Sequence, residues 1–185
     1  LSVKADMKKS SRLFLDIVWP AIRSKCGGGE IIPVETLEDS ALAEQMDMLA
    51  GIDVWQTKSG EGCRGIASRV QSGANAVDRA GRPWNTFTIR RRRSSGATTE
   101  WEKRVEAIQT GRWLYPYLTV QAYVYDDKLL SAAVARTRDL FRAAMDLEER
   151  GQLEVRTARE GSRWAEFAFV PWDRVPEVWT TEHAA

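Results

Sequence analysis

Hydrophobic and polar positions along this chain repeat with two periods, and the switches between them mark the elements. Between residues 3 and 25, Leu13, Phe14, Ile17, Val18 and Ile22 recur at helical spacing with lysines and arginines between them. That pattern predicts a helix which Pro20 bends or ends. After Gly27, Gly28 and Gly29, EIIPVE (30–35) reads as a short extended run whose proline suits an edge strand. ALAEQMDMLAG, with Asp39 or Ser40 as cap and Gly51 as stop, predicts a second short helix. IDVWQTK (52–58) alternates with period two, GEG turns the chain, and CRGIASRVQ returns as a second strand. Residues 72–85 read as loop, and TFTIRRRR (86–93) reads as a third strand. Thr98 or Thr99 followed by Glu102 has the spacing of a capping box, opening a helix that Gly111 closes. YLTVQAYVY (117–125) is strongly strand-forming, with KLLSAAVA as its partner across Asp126-Asp127. RTRDLFRAAMDLEER (136–150) is an amphipathic helix, and LEVRTAR with RWAEFAFVPW forms a closing hairpin around Glu160-Gly161.

This order predicts an α+β fold with more antiparallel than parallel pairing, a central mixed β-sheet flanked by helices. At 185 residues, with no repeat, low-complexity tract or long linker, residues 1–185 are expected to form a single domain. An apolar share of 43% and a charged share of 29% are ordinary for a globular chain, and no run approaches the roughly 20 apolar residues that span a bilayer. No signal-type segment opens the sequence. A cytoplasmic address and no membrane partner are the resulting expectations.

The residue inventory narrows the chemistry. Cys26 and Cys63 are too few for a disulfide framework and are not spaced for zinc, so both are expected to be reduced thiols. The one histidine, His183, cannot build a Ser-His-Asp triad, a Cys-His pair or a two-histidine metal site. Hydrolytic chemistry would have to run on carboxylates, lysines or a carboxylate-bound metal.

Net charge is only +1, but the positive charge is concentrated. Arg90, Arg91, Arg92 and Arg93 are consecutive, with Lys103 and Arg104 nearby. Strand alternation lets two of the four arginines share a face, so two are expected on phosphate and two on the other side. With Arg69 and Arg104 they form the expected nucleic-acid contacts, and Trp84, Trp101 and Trp113 are candidates for base stacking or for the core. Asp53, beside Ile52 in a strand, either points to solvent or is neutralised by a base or metal. Glu35, Glu44, Asp47 and Gln71 are available oxygen donors, and such a set suits magnesium.

A helix, a G-I-D strand, a short turn and an apolar strand with two spaced polar residues resemble the core order of the PD-(D/E)XK superfamily, the restriction-endonuclease-like nucleases. The resemblance covers roughly residues 30–125. It implies that Asp53 binds a metal ion, magnesium, and that Arg69-Val70-Gln71 falls where the family carries Glu-x-Lys. Arginine cannot ligate a cation. Two alternatives follow: either Glu35 or Glu100 supplies the second metal ligand, or the site grips phosphate without cutting. Under the first, Asp53, Gln71, Glu100 and Lys103 are the catalytic candidates: Gln71 positions the water, Lys103 replaces the missing lysine, and Arg69, Arg90 and Arg92 clamp phosphate oxygens. The function expected is nucleic-acid binding, DNA ahead of RNA, with metal-dependent phosphodiester hydrolysis. The alternative is a non-enzymatic binding or assembly module of a phage or mobile element.

Overall fold

The computed structural model describes residues 9–37, 41, 43, 46, 50–111 and 114–181. The second helix, with Asp39, Ser40, Glu44 and Asp47, falls mostly outside these residues, as do Trp113 and His183.

The first helix forms as its spacing requires, but a π-helical turn, Phe14–Val18, precedes α1, Trp19–Ile22. Pro20 sits in the first positions of α1 and has no N–H to return to the preceding turn. Widening that turn accommodates the missing bond, and the helix continues.

Among the described residues, nine strands follow in two sheets. β1 (Glu30–Pro33), β2 (Val54–Lys58) and β3 (Gly62–Ser72) form an antiparallel meander. β5 (Leu118–Tyr125) lies parallel to β3, and β6 (Lys128–Arg136) and β9 (Trp179–Thr180) complete the order β1-β2-β3-β5-β6-β9. A parallel neighbour requires a long crossover. It is supplied by β4 (Thr86–Arg93) and α2 (Glu100–Thr110). The closing hairpin, β7 (Glu154–Glu160) and β8 (Arg163–Pro171), follows α3 (Thr137–Glu149). It pairs with β4 as a separate three-stranded sheet, β4-β8-β7. The α+β class and the mixed central sheet are therefore observed, while one anticipated sheet has become two.

Local chemistry explains the joints. Asp126 and Asp127 both take positive φ, 47° and 55°, the conformation that a two-residue hairpin turn between β5 and β6 demands. Thr99 and Glu102 form the reciprocal capping box at the start of α2, and Gly111 ends it in the left-handed region.

The central sheet separates two apolar clusters. On one face, Val54, Ile66, Val120, Ala122 and Val124 pack against Phe14, Val18, Trp19 and Ile22. On the other, Tyr123, Ala133 and Ala135 meet Phe87 and Ile89 of β4, Leu140 and Phe141 of α3, and Ala168 and Val170 of β8. Among the described residues no helix is long and apolar enough to cross a membrane.

Candidate functional site

Where the second cluster ends, the same sheet face turns polar and opens into a pocket of about 380 Å³ between β2, β3, β4, β5 and α2. Asp53 lies at its base. β2 starts two residues later than the alternation suggests, and Asp53 occupies the lead-in. Its backbone is nevertheless held on both sides: its N–H donates to the Ile66 carbonyl at 3.0 Å, and its carbonyl accepts from Val34 N–H at 2.9 Å. Oδ2 of its carboxylate accepts the Ser68 N–H at 2.5 Å. The side chain is half-buried and lines the pocket, not bulk solvent.

β3 contributes from the position opposite. The register pairs Val54 with Ile66, so Asp53 faces Ala67, and Arg69, two residues on, shares that face. Arg69 Nη2 donates to Glu100 Oε2 at 3.0 Å, joining β3 to the first residue of α2, with both side chains about three-quarters shielded. Glu100, Lys103 and Arg104 stand at i, i+3 and i+4 on α2, hence on one face, and all three line the pocket.

Arg104 differs from the solvent-facing phosphate contact expected of it. It is 3% exposed and donates to the carbonyls of Ala50 at 2.7 Å and Gly51 at 2.8 Å. Burial lowers its pKa, and the nearby negative charges of Glu100 and Asp53 oppose the shift. Gly51 makes the clamp possible. With φ at +59°, a Cβ there would stand 2.7 Å from the guanidinium. Arg104 thus fastens the segment leading to Asp53 and adds positive charge beneath it.

The arginine run divides two and two, but not in the expected alternation. A β-bulge between Arg90 and Arg92 inserts Arg91 as an extra residue against β8. Arg90 and Arg93 consequently line the pocket. Arg91 turns to Glu148 and lies 4.9 Å from the Trp101 ring centroid, and Arg92, largely exposed, approaches Glu166 at 4.0 Å. Arg92 is therefore not part of the clamp, and Arg93 takes its place. Trp101 itself packs on Phe141 beside α3.

Two other expectations are corrected by position. Glu35 sits exposed on a 3-10 turn, Val34–Thr36, and accepts from Ser11 Oγ at 3.4 Å. It is absent from the pocket lining; the second carboxylate there is Glu100. Gln71 lies four residues beyond Ala67, about 13 Å further along the strand. It does not line the pocket. Its Oε1 instead accepts from Gln121 Nε2 at 3.0 Å, while Gln121 Oε1 accepts Thr88 N–H at 3.1 Å. These amides tie the central sheet to β4 beside the pocket. Gln121, 1% exposed, is a site residue that the sequence reading passed over. Its signal was a lone amide in an otherwise apolar strand, which needs a buried partner.

Among the described residues the lining is net positive: Arg69, Arg90, Arg93, Lys103 and Arg104 against Asp53 and Glu100. Arg90 feels this directly, its pKa lowered by burial and then by the like charge of Arg69. An anion entering the mouth would relieve that repulsion. Phe167 of β8 supports the two arginines, with their guanidinium carbons 5.8 and 5.5 Å from its ring centroid. As for a cation, no cluster of three acidic, cysteine or histidine side chains occurs among the described residues. Asp53 and Glu100 are the carboxylates of the described pocket lining, and magnesium takes one or two carboxylates with water completing the shell. Comparison with protein-family models, curated proteins and solved structures finds no match to this chain.

Proposed function

We propose that this protein binds nucleic acid by its phosphodiester backbone at the mouth of this pocket and hydrolyses it with a divalent cation, in the manner of a divergent restriction-endonuclease-like nuclease. One observation carries the reading: Asp53, Glu100 and Lys103 share a single pocket with Arg69, Arg90 and Arg93, although they come from four separate elements. The helix, Asp53-led strand, turn and second strand, set in a mixed sheet, support the family likeness.

Asp53 and Glu100 would hold magnesium, which when bound supplies Lewis acidity toward a phosphate oxygen and a water of lowered pKa. The chain's own groups do the rest. Arg69, Arg90 and Arg93 bind the bridging and flanking phosphates and orient the scissile bond. Lys103 takes the water-orienting role that the family assigns to its lysine. Arg104 acts through others: by gripping Ala50 and Gly51 it fixes the lead-in to Asp53.

A second reading rests on the Arg69–Glu100 ion pair. Arginine stands where the family carries a ligand and occupies one oxygen of Glu100, the one carboxylate besides Asp53 among the described lining residues, which favours a site that grips phosphate without cutting it. The test separates the two. Plasmid, single-stranded DNA and RNA are incubated with magnesium or manganese, alongside Asp53→Ala and Glu100→Ala. The nuclease reading expects cleavage that falls by about 100-fold or more in both variants. Binding without metal-dependent cleavage selects the second reading, and cleavage that survives Asp53→Ala removes this pocket from the chemistry.

A further inference from the structure

Arginines stacked on aromatic rings do not stop at the pocket. Phe167, which supports Arg69 and Arg90, lies directly opposite Arg156 of β7. The Arg156 guanidinium carbon sits 4.7 Å from the Phe169 ring centroid and 5.3 Å from that of Trp84. Register sets Arg90, Phe167 and Arg156 side by side on one face of the three-stranded sheet, so Arg90 and Arg156 are two strand spacings apart, about 10 Å. All seven residues of β7 are exposed, and the rings of Phe167, Phe169 and Trp84 are half-buried, so the face is open along its length.

We infer that this face is a track for single-stranded nucleic acid, leading the strand from the pocket across Phe167 to Arg156. The inference rests on the function proposed above and specifies its substrate: an unpaired strand rather than a duplex. Two features favour that occupant. The track is continuous with the phosphodiester pocket through Phe167, and its charge complements a polyanion. Its planar guanidinium and ring surfaces, moreover, match bases that are splayed from a stack, which a duplex does not present. Glu154 pairs with Arg156 in the free protein, but the pair is exposed at 49% and 55%, and such pairs yield to a stronger anionic partner.

The test is fluorescence anisotropy of a labelled single strand and its duplex over a salt series. It compares wild type, Arg156→Ala, Phe169→Ala, Arg69→Ala and the control Arg159→Ala, whose side chain leaves the opposite face of β7. The expected result is about tenfold weaker single-strand binding for Arg156→Ala and Phe169→Ala. Arg156→Ala also lowers the slope of log affinity against log salt by about 0.7. Duplex affinity and the control should stay within about twofold of wild type, inside the range ordinary for surface changes. If Arg69→Ala weakens binding while Arg156→Ala and Phe169→Ala do not, the track is wrong and the pocket stands. Equal losses on single strand and duplex, or displacement by polyglutamate as readily as by unlabelled strand, also overturn it. If wild type binds neither nucleic acid, the proposed function falls and the track with it.

Discussion

Strand β5 passes between two environments that differ by one residue of alternation. Leu118, Val120, Ala122 and Val124 face the apolar cluster built on Phe14, Val18 and Ile22. Thr119, Gln121 and Tyr123 face β4, α2 and α3, where an apolar cluster gives way to the charged pocket within two residues. The first cluster contributes chiefly by the area it removes from water. The second face also buries polar groups, and it holds them chiefly through paired amides, the Ser68–Asp53 bond and the Arg104 clamp. Such a network fixes side-chain directions, which catalysis and recognition need and a greasy core does not supply. Both sides thus bury an apolar cluster, while the proposed function falls to one of them.

If that division holds, Asp53→Asn keeps an acceptor for the Ser68 N–H and changes stability by less than about 1 kcal/mol in urea denaturation. The same variant should lose about 100-fold or more in metal-dependent cleavage. Ile66→Ala, at a fully buried position across the sheet, should do the reverse. It costs about 2–5 kcal/mol of stability and leaves cleavage per folded molecule near wild type. Gln121→Ala lies between, stranding the Thr88 N–H in the interior at about 1–3 kcal/mol, read by the same denaturation curve. The smallest effect comes from Cys26, on the apolar face, whose thiol burial pushes up to about 11 against the weaker pull of Arg64. The unfolded thiol ionises from about pH 9 and the folded one does not, so stability should decline with pH between about 9 and 11. A thiol reagent at neutral pH should label the exposed Cys63 rapidly and Cys26 only on unfolding.

Local signals in the sequence carried much of this architecture. The Asp126-Asp127 turn, the Thr99–Glu102 capping box and the strand runs each act within a few residues, and each forms as its chemistry predicts. What escaped was non-local. Nothing in LEVRTAR or RWAEFAFVPW says that they pair with TFTIRRRR and not with the central sheet, because strand partners are chosen by packing between distant segments. The bulge at Arg91 shifted the alternation by one and exchanged Arg92 for Arg93, a single-residue event invisible to a period-two reading. Glu100 and Lys103 were identifiable as charged neighbours on a helix, but only the crossover fold brings them to Asp53. Glu35, close to Asp53 in the meander, is carried away by the 3-10 turn that follows β1.

The claim that the polar face grips the backbone, and that Arg92 beyond the bulge does not, is tested most directly by the salt dependence of binding in Arg69→Gln and Arg92→Gln, with a labelled single strand of about 15 nucleotides. Arg69 lies in the pocket and Arg92 turns away from it, on the far side of the bulge. The account predicts that Arg69→Gln weakens binding and lowers the salt slope by about 0.7 while Arg92→Gln changes neither. An unchanged slope for Arg69→Gln, or a loss confined to Arg92→Gln, would contradict it.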